Sequence, residues 1–386
     1  MKTRFITLLS VCAVIAGAAL LSGCSKSSFS NYGGQPIRFM TTSSGSASTK
    51  TVYGLDNTAK TMQALDWVDG DVITIASPQA VVQSGGTNPA HASNYVVAVT
   101  QTGTAADVES KGTVSNEGSN GLMWLDNTPE GGYDFFAIYP KSGSDISLVP
   151  ESGLVTATVP ASQPLNGTAV DKSVTEGGVS VTYKEYKPDM KYAFMTASKL
   201  AYTPPTNAVP NVDLRFTPAF TAFEFNVASA DEDPVELTGF EILSPSGKSD
   251  KLAGTFTMTA GNLATVAQTA TTNSIVVDMS SAHQTVTNTQ GLTFTVFAVP
   301  VKNTDPLRLR FTSTDGASAK TSWIDMKYSD DVAKAGDDNA GKALQFEAGH
   351  KYRINMLKLP SSQWKISIAP VFEDWVDAEQ EVVIYI

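Results

Sequence analysis

Leu307, Leu309 and Phe311 alternate with Arg308 and Arg310, so an extended chain places three apolar groups on one face and two guanidinium groups on the other. A half-buried strand has this period of two. Phe223, Phe225 and Val227 repeat it against Glu224 and Asn226, as do Leu292, Phe294, Val296 and Ala298 against Thr293 and Thr295, and Trp364, Ile366 and Ile368 against Lys365 and Ser367. Further runs predict strands at 72–75, 95–100, 133–139, 154–159, 192–197, 237–243, 274–279 and 351–357. No stretch beyond the leader carries a 3.6-residue stripe over three turns, so helices are expected to be short and peripheral. Many short strands bounded by Gly, Pro and Asn predict an all-β protein of face-to-face sheets.

The chain opens differently. Lys2 and Arg4 precede an apolar run from Phe5 that closes on Leu21-Ser22-Gly23-Cys24, which has the basic start, apolar centre and small-residue cut of an export signal. The run is shorter than the ~20 residues a bilayer crossing needs. A cysteine at the first mature position is a site for lipidation, so Cys24 reads as the lipid-bearing N-terminus of a bacterial lipoprotein. Only Cys12 and Cys24 exist, and Cys12 leaves with the leader. An exported body without disulfides must rely on burial and hydrogen bonding. Loss of Lys2 and Arg4 makes the net charge of −11 more negative still, which argues against a nucleic-acid partner.

The length, 386 residues, suits two domains. Thr203-Pro204-Pro205-Thr206-Asn207-Ala208-Val209-Pro210 resists both helix and central strand, and the junction is expected there. The reading is a signal peptide over 1–23, a flexible tether over 24–35, and β-sandwich domains over 36–207 and 208–386. Within the Ser-, Gly- and Thr-rich segment 25–51, Pro36-Ile37-Arg38-Phe39-Met40 is the one strand candidate, with Arg38 and Lys50 open to proteases. At the other end, Gln380-Glu381-Val382-Val383-Ile384-Tyr385-Ile386 is apolar on both faces and has to be paired or covered. Either it closes its own domain or it is donated to a neighbouring subunit.

Catalytic patterns are poor. His91, His283 and His350 stand far apart and fit no metal-binding spacing. Gly247-Lys248-Ser249 lacks the first glycine of a phosphate loop, because Ile242 occupies its place. There is no Gly-x-Ser-x-Gly elbow. Asp69-Gly70-Asp71 and the acidic residues Asp330, Asp331, Asp337 and Asp338 lack the calcium-loop spacing and read as solvated turns. A carboxylate pair for glycoside cleavage is set by the fold and is not readable from spacing. No cofactor, metal or catalytic group is assigned. Trp124, Tyr186 and Trp323 are the aromatic residues available for a sugar platform.

Taken in order, a set of blocks resembles the Bacteroidales fimbrillin-like (FimA/Mfa-type) lipoprotein family, the subunits of type V pili. They are Trp67-Val68-Asp69-Gly70-Asp71-Val72-Ile73-Thr74-Ile75 and Tyr133-Asp134-Phe135-Phe136-Ala137-Ile138-Tyr139-Pro140, then Val212-Asp213-Leu214-Arg215-Phe216 running into Phe220-Thr221-Ala222-Phe223-Glu224-Phe225. Leu252-Ala253-Gly254-Thr255-Phe256, Phe297-Ala298-Val299-Pro300 and Phe346-Glu347-Ala348-Gly349-His350-Lys351-Tyr352 follow, with Trp375 near the end. The resemblance implies two tandem transthyretin-like or Ig-like β-sandwiches, an outer-membrane lipid anchor, display on the cell surface or fimbrium, and a role as pilus subunit or tip adhesin. It also implies trypsin-like processing that frees a groove for another subunit's strand. Lys50 matches the position of the cleavage residue, with Arg38 as the rival. The leading segment, with Ile37 and Phe39, is then expected as an edge strand over an apolar groove, and Val382, Ile384 and Ile386 are candidates for the donated strand. Implied partners are other pilin subunits, the processing protease and a host or bacterial surface glycan or protein. The alternative is a monomeric glycan-binding lipoprotein of a nutrient-uptake system.

The leader reading predicts that Cys24→Ala abolishes incorporation of radiolabelled palmitate and moves the protein from the membrane to the soluble fraction. Unchanged labelling would remove Cys24 as the acceptor.

Overall fold

The computed structural model describes residues 32–43, 52–56, 63–82, most of 90–327, 343, 346–359, 363–370 and 382–385. Cys24, Lys50, His283, Asp330, Asp331, Asp337, Asp338 and Ile386 lie outside these residues. Among those described the regular structure is strand, apart from one 3-10 turn at Met190–Tyr192. No described helix is long and apolar enough to cross a membrane.

Seven strands of the first half close into a barrel. In order around it they are Arg38–Ser43, Asn211–Pro218, Met195–Tyr202, Tyr133–Tyr139, Val72–Ala76, Ala92–Gln101 and Ser110–Asn116, which returns to Arg38–Ser43. Closure removes both sheet edges. The interior is aromatic: Trp67 meets Tyr139 and Phe216 edge-on with ring centroids 5.5 and 5.2 Å apart, a geometry the ring quadrupoles favour.

The second half is a sandwich. One sheet runs Ser162–Pro164, Ser274–Asp278, Val235–Leu243, Arg308–Asp315, Ser318–Asp325, with Gln284–Val286 also on Val235–Leu243. The other runs Val170–Glu176, Val179–Tyr186, Gln290–Ala298, Thr221–Ser229, Lys351–Lys358, Trp364–Pro370, Val382–Tyr385. The two meet through Phe240 on one sheet, which lies 4.5 Å from Phe225 and 5.0 Å from Phe294 on the other, and through Phe311 against Trp364 at 4.9 Å. The alternations at Phe223–Val227, Leu292–Ala298 and Leu307–Phe311 supply this core, as their period required.

Strand pairing crosses the 207/208 position in both directions. Asn211–Pro218 belongs to the barrel, beside the leading strand. Ile146–Val149 and Leu154–Val159 join Ala253–Thr259 and Asn262–Thr272 in a four-stranded sheet. Ser162–Pro164 pairs with Ser274–Asp278, and Val179–Tyr186 with Gln290–Ala298. Residues 146–186 thus cross into the second half before the chain returns to finish the first. The prolines at 204, 205 and 210 mark the connection between two barrel strands. Those strands pair only at their far ends, Met195↔Pro218 and Thr196↔Thr217. Gln163 pins the crossing segment: its side-chain amide donates to Phe297 O at 2.6 Å, and its Oε1 accepts from Phe297 N at 2.9 Å.

On the outward side of the Thr221–Ser229 strand, Glu224 is buried beside Lys351 and Arg353. Arg353 Nε donates to Glu224 Oε1 at 2.6 Å. Burial pushes the Glu224 carboxyl up, but the charges of Lys351 and Arg353 outweigh it and hold the group well below the usual carboxylate range. The unfolded chain takes up that proton near the ordinary 4.5 and the folded chain only at much lower pH, so the stabilisation is complete above 4.5 and is lost as acid is added below it.

Glu224→Gln takes the anion from beside two cations, one fully buried. It should cost about 3 kcal/mol or more at neutral pH and flatten the loss of stability below pH 4.5, as read by urea unfolding at several pH values. An unchanged acid slope would show that other carboxylates set it.

Candidate functional site

The leading strand is where structure and sequence expectation meet most closely. Gly34 N donates to Trp124 O, Trp124 N to Gln35 O and Ile37 N to Leu122 O, at 2.9, 3.0 and 2.9 Å. The chain then enters the barrel. Arg38–Ser43 runs parallel to Asn211–Pro218 in the register Phe39↔Val212, Thr41↔Leu214, Ser43↔Phe216, and antiparallel to Ser110–Asn116 with Thr41↔Gly112 and Ser43↔Ser110. It is therefore not an edge strand. It closes the barrel, because its parallel partner comes from a distant part of the chain; Thr42 and Asp213, which share a hydrogen bond, are 171 residues apart.

Side chains alternate at the start of the strand: Ile37 and Phe39 are buried, whereas Arg38 is exposed and Met40 half-buried. From Thr41 to Ser43 both faces are covered, Thr42 included. The Phe39 ring sits edge-on to Tyr95 and Phe135 at 5.3 and 5.4 Å. Farther along the space narrows: a Cβ on Gly112 would lie 2.7 Å from Val97 Cγ1 and 3.2 Å from Thr41 Oγ1. The Thr41 hydroxyl donates to Gly112 O at 3.4 Å, and Ser43 Oγ to Ser110 O at 3.5 Å. On the outward face Thr42 donates to Asp213 Oδ1 at 3.3 Å. Over it, Glu109 binds Arg215 from one flanking strand and, at 3.4 Å, Lys111 from the other. Both cations are in register with Thr42, so the ion pairs span the strand from flank to flank.

At the other terminus, Val382–Tyr385 pairs antiparallel with Trp364–Pro370, Val382 opposite Ile368 and Ile384 opposite Ile366. It is the last strand of its sheet.

Asp69 is an exposed turn residue, as expected, whereas Asp71 is not solvated. Asp71 is buried and accepts from Val68 N at 2.9 Å and from the Tyr139 hydroxyl at 3.2 Å, and Asp69 accepts from Val99 N at 2.7 Å. Their carboxylates fasten a turn in which Gly70 has φ +89°. Lys248 lies in a turn and meets Asp305 at 2.8 Å. His91 and His350 each contact a backbone carbonyl through Nδ1. Among the described residues no group of three or more His, Cys, Asp or Glu side chains gathers as a metal site. Trp124 is buried, Tyr186 is half-buried, and Trp323 stands 54% exposed with the Arg308 guanidinium 4.1 Å from its ring.

No family model matches the chain, and no curated protein matches it. Among solved structures, a Bacteroides uniformis protein named for cell adhesion is 17% identical, with 88% of this chain and 98% of that one aligned at a TM-score of 0.46. A fimbrial assembly protein of Parabacteroides distasonis is 12% identical over 91% and 98% of the two chains, TM-score 0.40. The tip fimbrial protein Mfa3 of Porphyromonas gingivalis is 8% identical over 88% and 100%, TM-score 0.34. They resemble this chain in outline only.

Phe39→Ala should cost about 3 to 5 kcal/mol and lower the urea midpoint accordingly, whereas Arg38→Ala should change stability by less than about 0.5 kcal/mol. Equal effects would mean that the strand is not seated by its inward face.

Proposed function

We propose that the chain is a non-enzymatic, fimbrillin-like lipoprotein: a subunit or tip adhesin of an adhesive fibre, anchored to the outer membrane through Cys24 and assembled with other pilin subunits by proteolysis and strand exchange. One observation carries this reading. The first strand after the tether is the closing strand of a barrel, paired on both sides. Removing it would expose backbone groups on Asn211–Pro218 and Ser110–Asn116 together with the apolar pocket of Phe39. A strand from another subunit would satisfy both at once.

The same geometry supports Lys50 over Arg38 as the cleavage residue. A cut after Lys50 leaves all of Arg38–Ser43 on the released side. A cut after Arg38 leaves Phe39 to Ser43 joined to the body, with the slot still filled, and requires a protease to act on a residue already in register with Asn211. Lys50 is accordingly the processing site for a trypsin-like protease. The strand at Val382–Tyr385, held on one side by its own sheet, is the segment this subunit has to offer a neighbour.

Trp323 supports the alternative, a monomeric glycan-binding lipoprotein, because an exposed indole beside Arg308 and Asp325 has the stacking face and polar flank that sugars use. Arg308 Nε lies 2.6 Å from Asp325 Oδ1.

Lys50→Ala should block processing and fibre growth in cells, leaving full-length lipidated precursor, while Arg38→Ala should leave both intact. Fibres of normal length from Lys50→Ala would remove Lys50 from the mechanism. Tight glycan-array binding by unprocessed monomer, lost in Trp323→Ala, would favour the alternative.

A further inference from the structure

The slot in the barrel is not uniform along its length. At its start the inward residue is Phe39, in a pocket walled by Tyr95 and Phe135. Two residues on, Thr41 is fully buried where the neighbouring strand has Gly112, and the Thr41 hydroxyl takes up space that a Cβ on Gly112 would need. Two further on, Ser43 is fully buried opposite Ser110, whose Oγ is already engaged by Trp67 N at 3.0 Å and Gln101 O at 2.9 Å. Phe216, in register with Ser43, is itself packed against Trp67 at 5.2 Å. The far half is thus filled to contact, with Gly112 and Ser110 on one flank, Leu214 and Phe216 on the other, and only the small residues Thr41 and Ser43 between them. Adding several methylenes in such a place forces neighbours off their rotamers, and truncating a residue in the aromatic pocket leaves a void.

We propose that this slot reads its occupant by size, accepting a β-segment with a large apolar residue followed at the second and fourth positions by small ones such as Ser, Thr, Ala or Gly. The inference rests on the strand-exchange reading and gives it a partner chemistry. Polarity adds a second filter, since the hydroxyls of Thr41 and Ser43 donate to Gly112 O and Ser110 O.

This chain's own C-terminal strand does not meet the requirement. In its sequence Val382, Ile384 and Ile386 alternate with Glu381, Val383 and Tyr385. Neither alternate set has two small residues in succession. The occupant is a segment of a different subunit, and the fibre is heterotypic at this joint.

The test uses the full-length chain with Ser46→Asp, Ala47→Asp, Ser48→Asp and Thr49→Asp, which places an enterokinase sequence directly before Lys50. After cleavage and quenching of the protease, fluorescent peptides are added, and both peptide entry and loss of the leading fragment are followed, the latter by native mass spectrometry. The first peptide copies Pro36 to Ser43. The second carries the outward changes Arg38→Gln and Met40→Gln, the third exchanges the inward residues through Phe39→Ser and Ser43→Phe, and the fourth copies Gln380 to Ile386.

The first two should enter to similar extents. The third and fourth should enter at least about tenfold less. Equal entry of the third peptide would overturn the size reading, and equal entry of the fourth would overturn the heterotypic joint, with strand exchange left standing in both cases. A leading fragment that stays in place against every peptide would sink strand exchange itself, and the proposal with it.

Discussion

Closure of the first sheet by Arg38–Ser43 is the constraint on which the rest depends. A seven-stranded sheet with that position empty has two open edges and an unfilled aromatic pocket. With it occupied, every strand of the barrel has a partner on both sides and the Phe39 ring completes a cluster with Tyr95 and Phe135. The closing element is also the first strand among the described residues. Its parallel partner, Asn211–Pro218, is the last barrel strand before the sandwich begins at Thr221. A change at the leading strand therefore acts at the junction between the two halves.

The junction is reinforced by crossing chain. Residues 146–186 leave the barrel, add strands to three sheets built mainly from residues after 220, and return through Met195–Tyr202. The Gln163 side chain imitates a strand amide by giving one bond to Phe297 and taking one from it. This arrangement resists separation of the halves in a way a single linker would not.

Much of the fold was legible, because a half-buried strand writes its burial into alternate residues. Leu154–Val159 begins and ends where its alternation indicated, and Tyr133–Tyr139, buried on both faces, matches the bounds of its apolar run. Residue 192, expected to start a strand, instead ends the 3-10 turn Met190–Tyr192 that Asp189 caps. That side-chain-to-backbone competition overrode the local pattern. Proline-rich stretches signal a lack of ladder bonds and say nothing of which strands they join, so the pairing of Asn211–Pro218 with Arg38–Ser43 was not legible. The site was half legible. Phe39 could be read as a strand residue with an apolar inward face, but its position between two strands follows from a register with Val212 that periodicity does not encode. The narrowing at Gly112 was equally hidden, since a glycine in a strand reads as weakness until Val97, Ala98 and Thr41 are seen to crowd its space.

Native-state amide exchange on the intact chain tests the central claim most directly, because a strand that closes a barrel must open together with its flanks. The account predicts that 38–43, 110–116 and 211–218 are protected to a common free energy and lose protection together on urea titration. Free exchange at 38–43, with both flanks still protected, would make the leading segment an appendage and contradict it.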